Sequence, residues 1–134
     1  MKKKVISLVL VLLLVCTMVI PASAASQYTY GTYADCDYGT FNNCTTSSWS
    51  CLIEYLNGNS SYQFKTNVRS FKWTYAYVNG VRQEIELAEE YIPGTSSGMI
   101  SGNSKSGLSY TLSRVEASYY VNGEYVTMVT TRAS

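Results

Sequence analysis

The tetrapeptide Tyr-Val/Leu-Asn-Gly occurs three times in this chain, at Tyr55–Gly58, Tyr77–Gly80 and Tyr120–Gly123. Each copy is flanked by runs in which apolar and polar residues alternate. Asn and Gly both tolerate the positive φ that a tight hairpin turn requires. Asn-Gly between alternating runs therefore predicts two strands folded back on each other. Three such sites in 134 residues predict an all-β chain. No segment carries a helical period; Ile85–Tyr91 comes nearest, but it alternates and has a hairpin partner.

The first segment has a different grammar. Met1-Lys2-Lys3-Lys4 is a positive start, Val5 to Ile20 is almost wholly apolar, Pro21 breaks the run, and Ala22-Ser23-Ala24 offers small residues for cleavage. This is the layout of a secretory signal peptide over residues 1–24, cut after Ala24 or Ala25. The competing reading is an uncleaved anchor, since the run matches the shortest membrane span. No stop-transfer charges follow it, and Val15 before Cys16 is not the small residue a lipoprotein site needs. The expectation is a secreted, extracellular protein with one domain over 25–134 and no membrane contact after cleavage.

Cleavage changes the charge argument. Removing Lys2, Lys3 and Lys4 from the ten basic residues leaves seven against nine acids, a net charge of −2. No basic cluster survives, which argues against nucleic acid and anionic membranes as partners. All 18 aromatics lie in this part, 13 of them Tyr, among abundant Ser, Thr, Asn and Gly. Tyr and Trp suit half-buried strands and carry a polar tip that can stay wet. The composition is that of an extracellular β domain, expected to be a monomer. Cys36, Cys44 and Cys51 remain as disulfide candidates; three thiols allow one bridge, and Cys44 with either neighbour is the favoured pairing.

The alternation predicts roughly eight strands: Gln27–Tyr33, Cys36–Phe41, Ser48–Leu56, Ser61–Val68, Ser70–Val78, Val81–Ala88, Leu108–Val121 and Glu124–Arg132. The stretch from Glu89 to Gly107 predicts a loop with a short strand near Met99–Ile100. The first Asn-Gly predicts a hairpin of Ser48–Leu56 with Ser61–Val68, closed by a two-residue turn. That register puts Trp49, Cys51, Ile53 and Tyr55 on one face with Tyr62, Phe64 and Val68. The second predicts a three-residue turn with a bulge at Gly80. That register gathers Phe71, Trp73, Tyr75 and Tyr77 with Val81, Ile85 and Leu87 and opposes Lys72 to Glu86. The third leaves both registers open. Inward parity changes between Val68 and Phe71, so Arg69-Ser70 predicts a bulge or a corner. The fold expected is an antiparallel two-layer β-sandwich built from hairpins, with a small β-barrel as the alternative.

The chemistry available is narrow. The chain has no His, which removes Ser-His-Asp and Cys-His catalysis and most zinc sites. Asp35-Cys36-Asp37 lacks the further oxygens of a calcium loop and reads as a polar turn. Glu89-Glu90, or Glu54 with Glu116, are candidates for a glycosidase pair, but sequence does not bring them together. Neither Ser/Gly-rich stretch after Pro93 precedes the Lys-Ser/Thr and helix of a phosphate loop. The expectation is a non-enzyme with no cofactor and no metal. Aromatic surplus is the one feature with binding potential, because planar rings stack on sugars and Tyr makes low-entropy protein contacts. The registers send Trp49, Trp73, Tyr55, Tyr75 and Tyr77 to the core. Tyr28, Tyr30, Tyr33, Tyr38, Tyr91 and Tyr110 are left as candidate binding residues.

The leader, the length, the aromatic strands and the Ser-rich stretch before Ser118-Tyr119-Tyr120-Val121-Asn122-Gly123 together resemble small secreted β-rich proteins of Gram-positive bacteria. The chain also resembles, more distantly, the lactococcin-type secreted β-sandwich bacteriocins, from which it departs in its greater length, its lack of His and its three cysteines. The first likeness, to proteins with no assigned function, implies only a small secreted β-rich domain; the scarcity of catalytic groups and the aromatic surplus carry the expectation that it binds an extracellular partner, cell-envelope glycan or protein. The second implies bacteriocin activity.

Overall fold

A computed structural model describes residues 25–134; the leader expected over 1–24 lies outside the described residues. Nine strands follow one another: β1 (Ala25–Tyr33), β2 (Cys36–Cys44), β3 (Trp49–Gly58), β4 (Gln63–Val78), β5 (Val81–Ile92), β6 (Ser97–Gly98), β7 (Ile100–Lys105), β8 (Leu112–Val121) and β9 (Glu124–Arg132). They form two antiparallel sheets, one in the order β1-β2-β3-β7 and the other β5-β4-β8-β9, with the short β6 also paired to β4. The sheets do not close into a barrel. The architecture is the two-layer sandwich that alternation and turn chemistry predict.

The inner faces supply the core. Cys36, Tyr38, Cys44, Trp49, Cys51 and Ile53 come from the first sheet; Phe64, Val68, Leu112, Val115, Ala117, Tyr119 and Val121 come from the second or its border. Several polar groups inside are hydrogen-bonded between the layers. Thr66 of β4 donates to the Ser101 carbonyl of β7 at 2.9 Å, and Asn103 of β7 donates to the Thr66 carbonyl at 2.7 Å.

The first Asn-Gly does not close a hairpin. β3 pairs with β2 and β7, and Gly58 stands opposite Cys36 at the end of that ladder. The chain then crosses to the other sheet through residues 59–62. Trp49, Cys51, Ile53, Phe64 and Val68 do meet in the core as their pattern predicts. They meet across the sandwich rather than across a ladder. Alternation reports which side of a strand is buried, not which strand lies next to it.

The second Asn-Gly closes a hairpin, but in the other register. Val78 pairs with Val81, Trp73 with Glu86 and Lys72 with Leu87. Asn79 (φ 52) and Gly80 (φ 78) make a two-residue turn with both residues left-handed. The three-residue register rests on one face of this hairpin being buried. Neither is: β8 accompanies β4 only as far as Lys72, and beyond it the hairpin continues as a free two-stranded ribbon. Arg69-Ser70 is a bulge and not a corner, for β4 runs unbroken through it while its pairing with β5 shifts between Ser70 and Phe71. The third hairpin combines both of its open registers. Val121 pairs with Glu124 around a two-residue turn, then a bulge between Tyr119 and Tyr120 moves Ala117 opposite Val129.

The stretch after Glu89 is more ordered than a loop. β5 runs on to Ile92, and Ile100–Lys105 forms the edge of the first sheet. The cysteines correct the disulfide expectation: Cys36, Cys44 and Cys51 are all free and buried. Cys44 stands opposite Trp49 and Cys51 opposite Asn42, so these two are diagonal neighbours, while Cys36 lies at the far end of β2 opposite Gly58. Diagonal positions sit about 7–8 Å apart at Cα, beyond the reach of a bridge.

Candidate functional site

The outer face of the four-stranded sheet carries a cluster of exposed aromatic rings. Antiparallel pairing puts Tyr28 opposite Phe41, Tyr30 opposite Gly39 and Ile100 opposite Glu54, so these side chains share the solvent side. Tyr28 and Tyr30 lie with ring centroids 4.8 Å apart, and Phe41 packs on Tyr28 at 6.0 Å. Gly39 makes room for this: a Cβ there would stand 3.1 Å from the Tyr28 hydroxyl and 3.3 Å from Leu56 Cδ1. Tyr28 lies down across the sheet and donates to Glu54 Oε1 at 2.6 Å. That bond to a carboxylate pushes the Tyr28 phenol up to about 12.

Tyr30 is the free member, 74% exposed. Beside it opens a hollow of about 330 Å³ bordered by Gly31, Thr32, Asp37, Leu56 and Asn57. The register brings Asp37 opposite both Thr32 and Asn57, and Thr32 donates to Asp37 Oδ1 at 2.7 Å. An aromatic face, a carboxylate, a carboxamide and a hydroxyl thus converge on one concavity. Such a set can stack against an apolar ring face and pair with hydroxyl groups around it.

The other candidate tyrosines go elsewhere. Tyr38 turns inward, 7% exposed, with its ring beneath Gly31; burial raises its phenol. Tyr33 packs edge-on against Tyr62 at the margin of the core. Tyr110 lies against the core between β7 and β8, its hydroxyl 3.4 Å from that of Ser70. Tyr91 is on the outer face of the other sheet, under the Arg69 guanidinium. Only Tyr28 and Tyr30 share a surface. Thr32 and Asn57 were not visible as partners of this surface, because only the ladder register juxtaposes them with Asp37.

The carboxylate pairs do not assemble. Glu54 is on the outer face of the first sheet and Glu116 on the outer face of the second, where it faces Arg114. Glu89 is held by Lys72 and Glu90 by Lys105. Asp35 accepts from the Tyr62 hydroxyl, which lowers its pKa, while Asp37 takes Thr32.

Among the described residues, no helix is long and apolar enough to cross a membrane. No protein-family model matches the chain, and no curated protein matches it either.

Proposed function

We propose that this chain is a secreted, non-enzymatic β-sandwich protein that binds a cell-envelope glycan through the outer face of its four-stranded sheet. The observation that carries the reading is the exposed Tyr30 ring beside a hollow bordered by Thr32, Asp37 and Asn57. A pyranose presents an apolar C–H face to an aromatic ring and hydroxyls around its rim. Tyr30 meets the first need, and the carboxylate, amide and hydroxyl meet the second. A purely apolar protein contact would desolvate the Asp37 carboxylate with the Thr32 hydroxyl as its one hydrogen-bond donor. The leader-like Met1–Ala24 supports an extracellular setting.

A glycan array and a cell-wall pull-down with the purified protein test this directly. Binding should fall at least about tenfold in Tyr30→Ala and in Asp37→Asn. Tyr77→Ala, on the other sheet, should leave it unchanged. Empty results in both assays reject the reading.

A further inference from the structure

We propose that two copies of this chain join edge to edge through β5, in the register that opposes Arg82 to Glu84 twice. The inference uses the five-stranded sheet and does not depend on the glycan reading. It departs from the monomer expected from sequence.

Among the described residues β5 is the end strand of its sheet, with β4 on one side and no strand on the other. Its first eight residues, Val81–Ala88, pair without a break and contain no Pro or Lys. Pro and Lys are two of the devices that blunt an edge, and the charges this stretch does carry are Arg82, Glu84 and Glu86. Where the ribbon outruns β8 it also exposes apolar groups on both faces: Tyr75 and Tyr77 on one, Val78, Val81 and Leu87 on the other. A lone two-stranded ribbon is marginal in water, and a partner strand would extend it.

Backbone geometry limits how a second β5 can dock. Val78 and Val81 flank the two-residue turn and bond to each other, so the N–H and C=O groups of Arg82, Glu84 and Glu86 point away from β4. An antiparallel second β5 must therefore oppose even-numbered residues. Arg82 against Arg82 sets like charges together. Glu84 against Glu86 does the same, and Glu84 against Glu84 sets two acids on the axis and offers Arg82 only Glu86, which already holds Arg114 and Arg132. The register with Gln83 on the two-fold axis sets Arg82 against Glu84 on both sides of the axis and Val81 against Ile85 behind them. It is the self-complementary choice that a two-fold interface requires.

The other charges on β5 are already engaged. Glu86 holds Arg114 and Arg132, Glu89 holds Lys72, and Glu90 holds Lys105. Arg82 and Glu84 take part in no ion pair among the described residues. Arg82 instead rests over the Tyr75 ring at 3.9 Å, on the face it shares with Glu84. The two charges left over on the edge are the two that would meet across the axis.

Sedimentation equilibrium of the purified protein from about 10 to 500 μM should show a reversible dimer. Arg82→Glu and Glu84→Arg should each raise the dimer Kd at least about tenfold, because each sets like charges together twice. An equimolar mixture of the two variants, and the double variant Arg82→Glu/Glu84→Arg, should each recover dimerisation by restoring both contacts. Circular dichroism of every variant should match the parent, since both positions are solvent-facing. A parent protein monomeric across that range overturns the proposal, whatever else binds the ribbon. So does a dimer indifferent to both reversals, or one that the compensating pair fails to rescue.

Discussion

The Tyr119 phenol donates a hydrogen bond to the side-chain oxygen of Asn42 across the interior of the sandwich. Both residues are fully buried, one on β8 and the other on β2. Asn42 also donates, at 3.4 Å, to the Val129 carbonyl on β9. One carboxamide therefore ties the first sheet to two strands of the second. Burial drives the Tyr119 phenol far above its ordinary range, so it stays protonated and able to donate. Tyr119→Phe keeps the ring and strands the Asn42 oxygen. It should cost about 1–3 kcal/mol, seen as a lower urea midpoint at unchanged slope.

How much of this was legible follows from what alternation encodes. It names the buried side of a strand, and β3, the Phe64–Val68 part of β4 and β8 carry the inner faces their patterns predict. It is silent on neighbours, so Asn57-Gly58, with the local chemistry of a hairpin turn, could end a strand that leaves for the other sheet. It also presumes that an apolar face is a buried one. That presumption misplaces Trp73, Tyr75 and Tyr77, which alternate like core residues but ride on a ribbon that no opposing sheet covers. At the candidate site, exposure of Tyr28 and Tyr30 could be read from the polar residues around them. Their grouping with Asp37 and Asn57 depends on three strands coming into register, which a linear pattern does not hold.

The three Asn-Gly glycines should differ sharply in what they tolerate. Gly58 has φ +92, and a Cβ there would stand 2.1 Å from the Asp35 carbonyl oxygen. That oxygen already accepts from the Asn59 N–H at 2.7 Å, so it is not free to move aside. Gly80 (φ +78) and Gly123 (φ +79) have open space where a Cβ would go. Ala at either should cost only the left-handed backbone penalty, about 1–2 kcal/mol. Gly58→Ala adds a backbone collision and should cost at least about 3 kcal/mol. Thermal melts of the three variants should rank Gly58→Ala well below the other two.

The free thiols predict a specific alkaline weakness. Burial pushes Cys44 up to about 11 and Cys51 up to about 12, and raises Cys36 as well. The native fold thus holds these protons to higher pH than the unfolded chain, whose thiols ionise near 9.0. Their contribution is complete below that pH and is lost as pH rises toward 11 for Cys44 and 12 for Cys51. The loss should reach at most about 1.4 kcal/mol per pH unit for each thiol. Stability followed by urea titration should be flat from neutral pH to about 9 and fall above it, with Cys51→Ala reducing the slope. At neutral pH a chromogenic aromatic disulfide should label none of the three until the protein is unfolded.

Glu86 should decide whether the ribbon is held or loose at its base. Its carboxylate takes Arg114 of β8 and, at 2.6 Å, Arg132 of β9, reaching from the edge strand across the sheet to the far side. Arg114 also lies over the Phe71 ring at 3.7 Å, so acid, base and ring lock where β8 leaves off and the free ribbon begins. Glu86 and Arg114 are largely covered, while the Arg132 side chain is mostly in solvent. Arg132 should therefore contribute little and Arg114 most. Glu86→Ala leaves the largely covered Arg114 guanidinium with only the longer contact to Glu116, at 3.4 Å, and should cost about 1–2 kcal/mol globally. The local effect should be larger than the global one. Amide exchange over residues 73–84 should accelerate at least about tenfold while the core strands β3 and β8 change only by the global amount. Arg132→Ala should leave both quantities nearly unchanged. Equal acceleration in ribbon and core would mean that Glu86 stabilises the whole sandwich rather than the root of the ribbon.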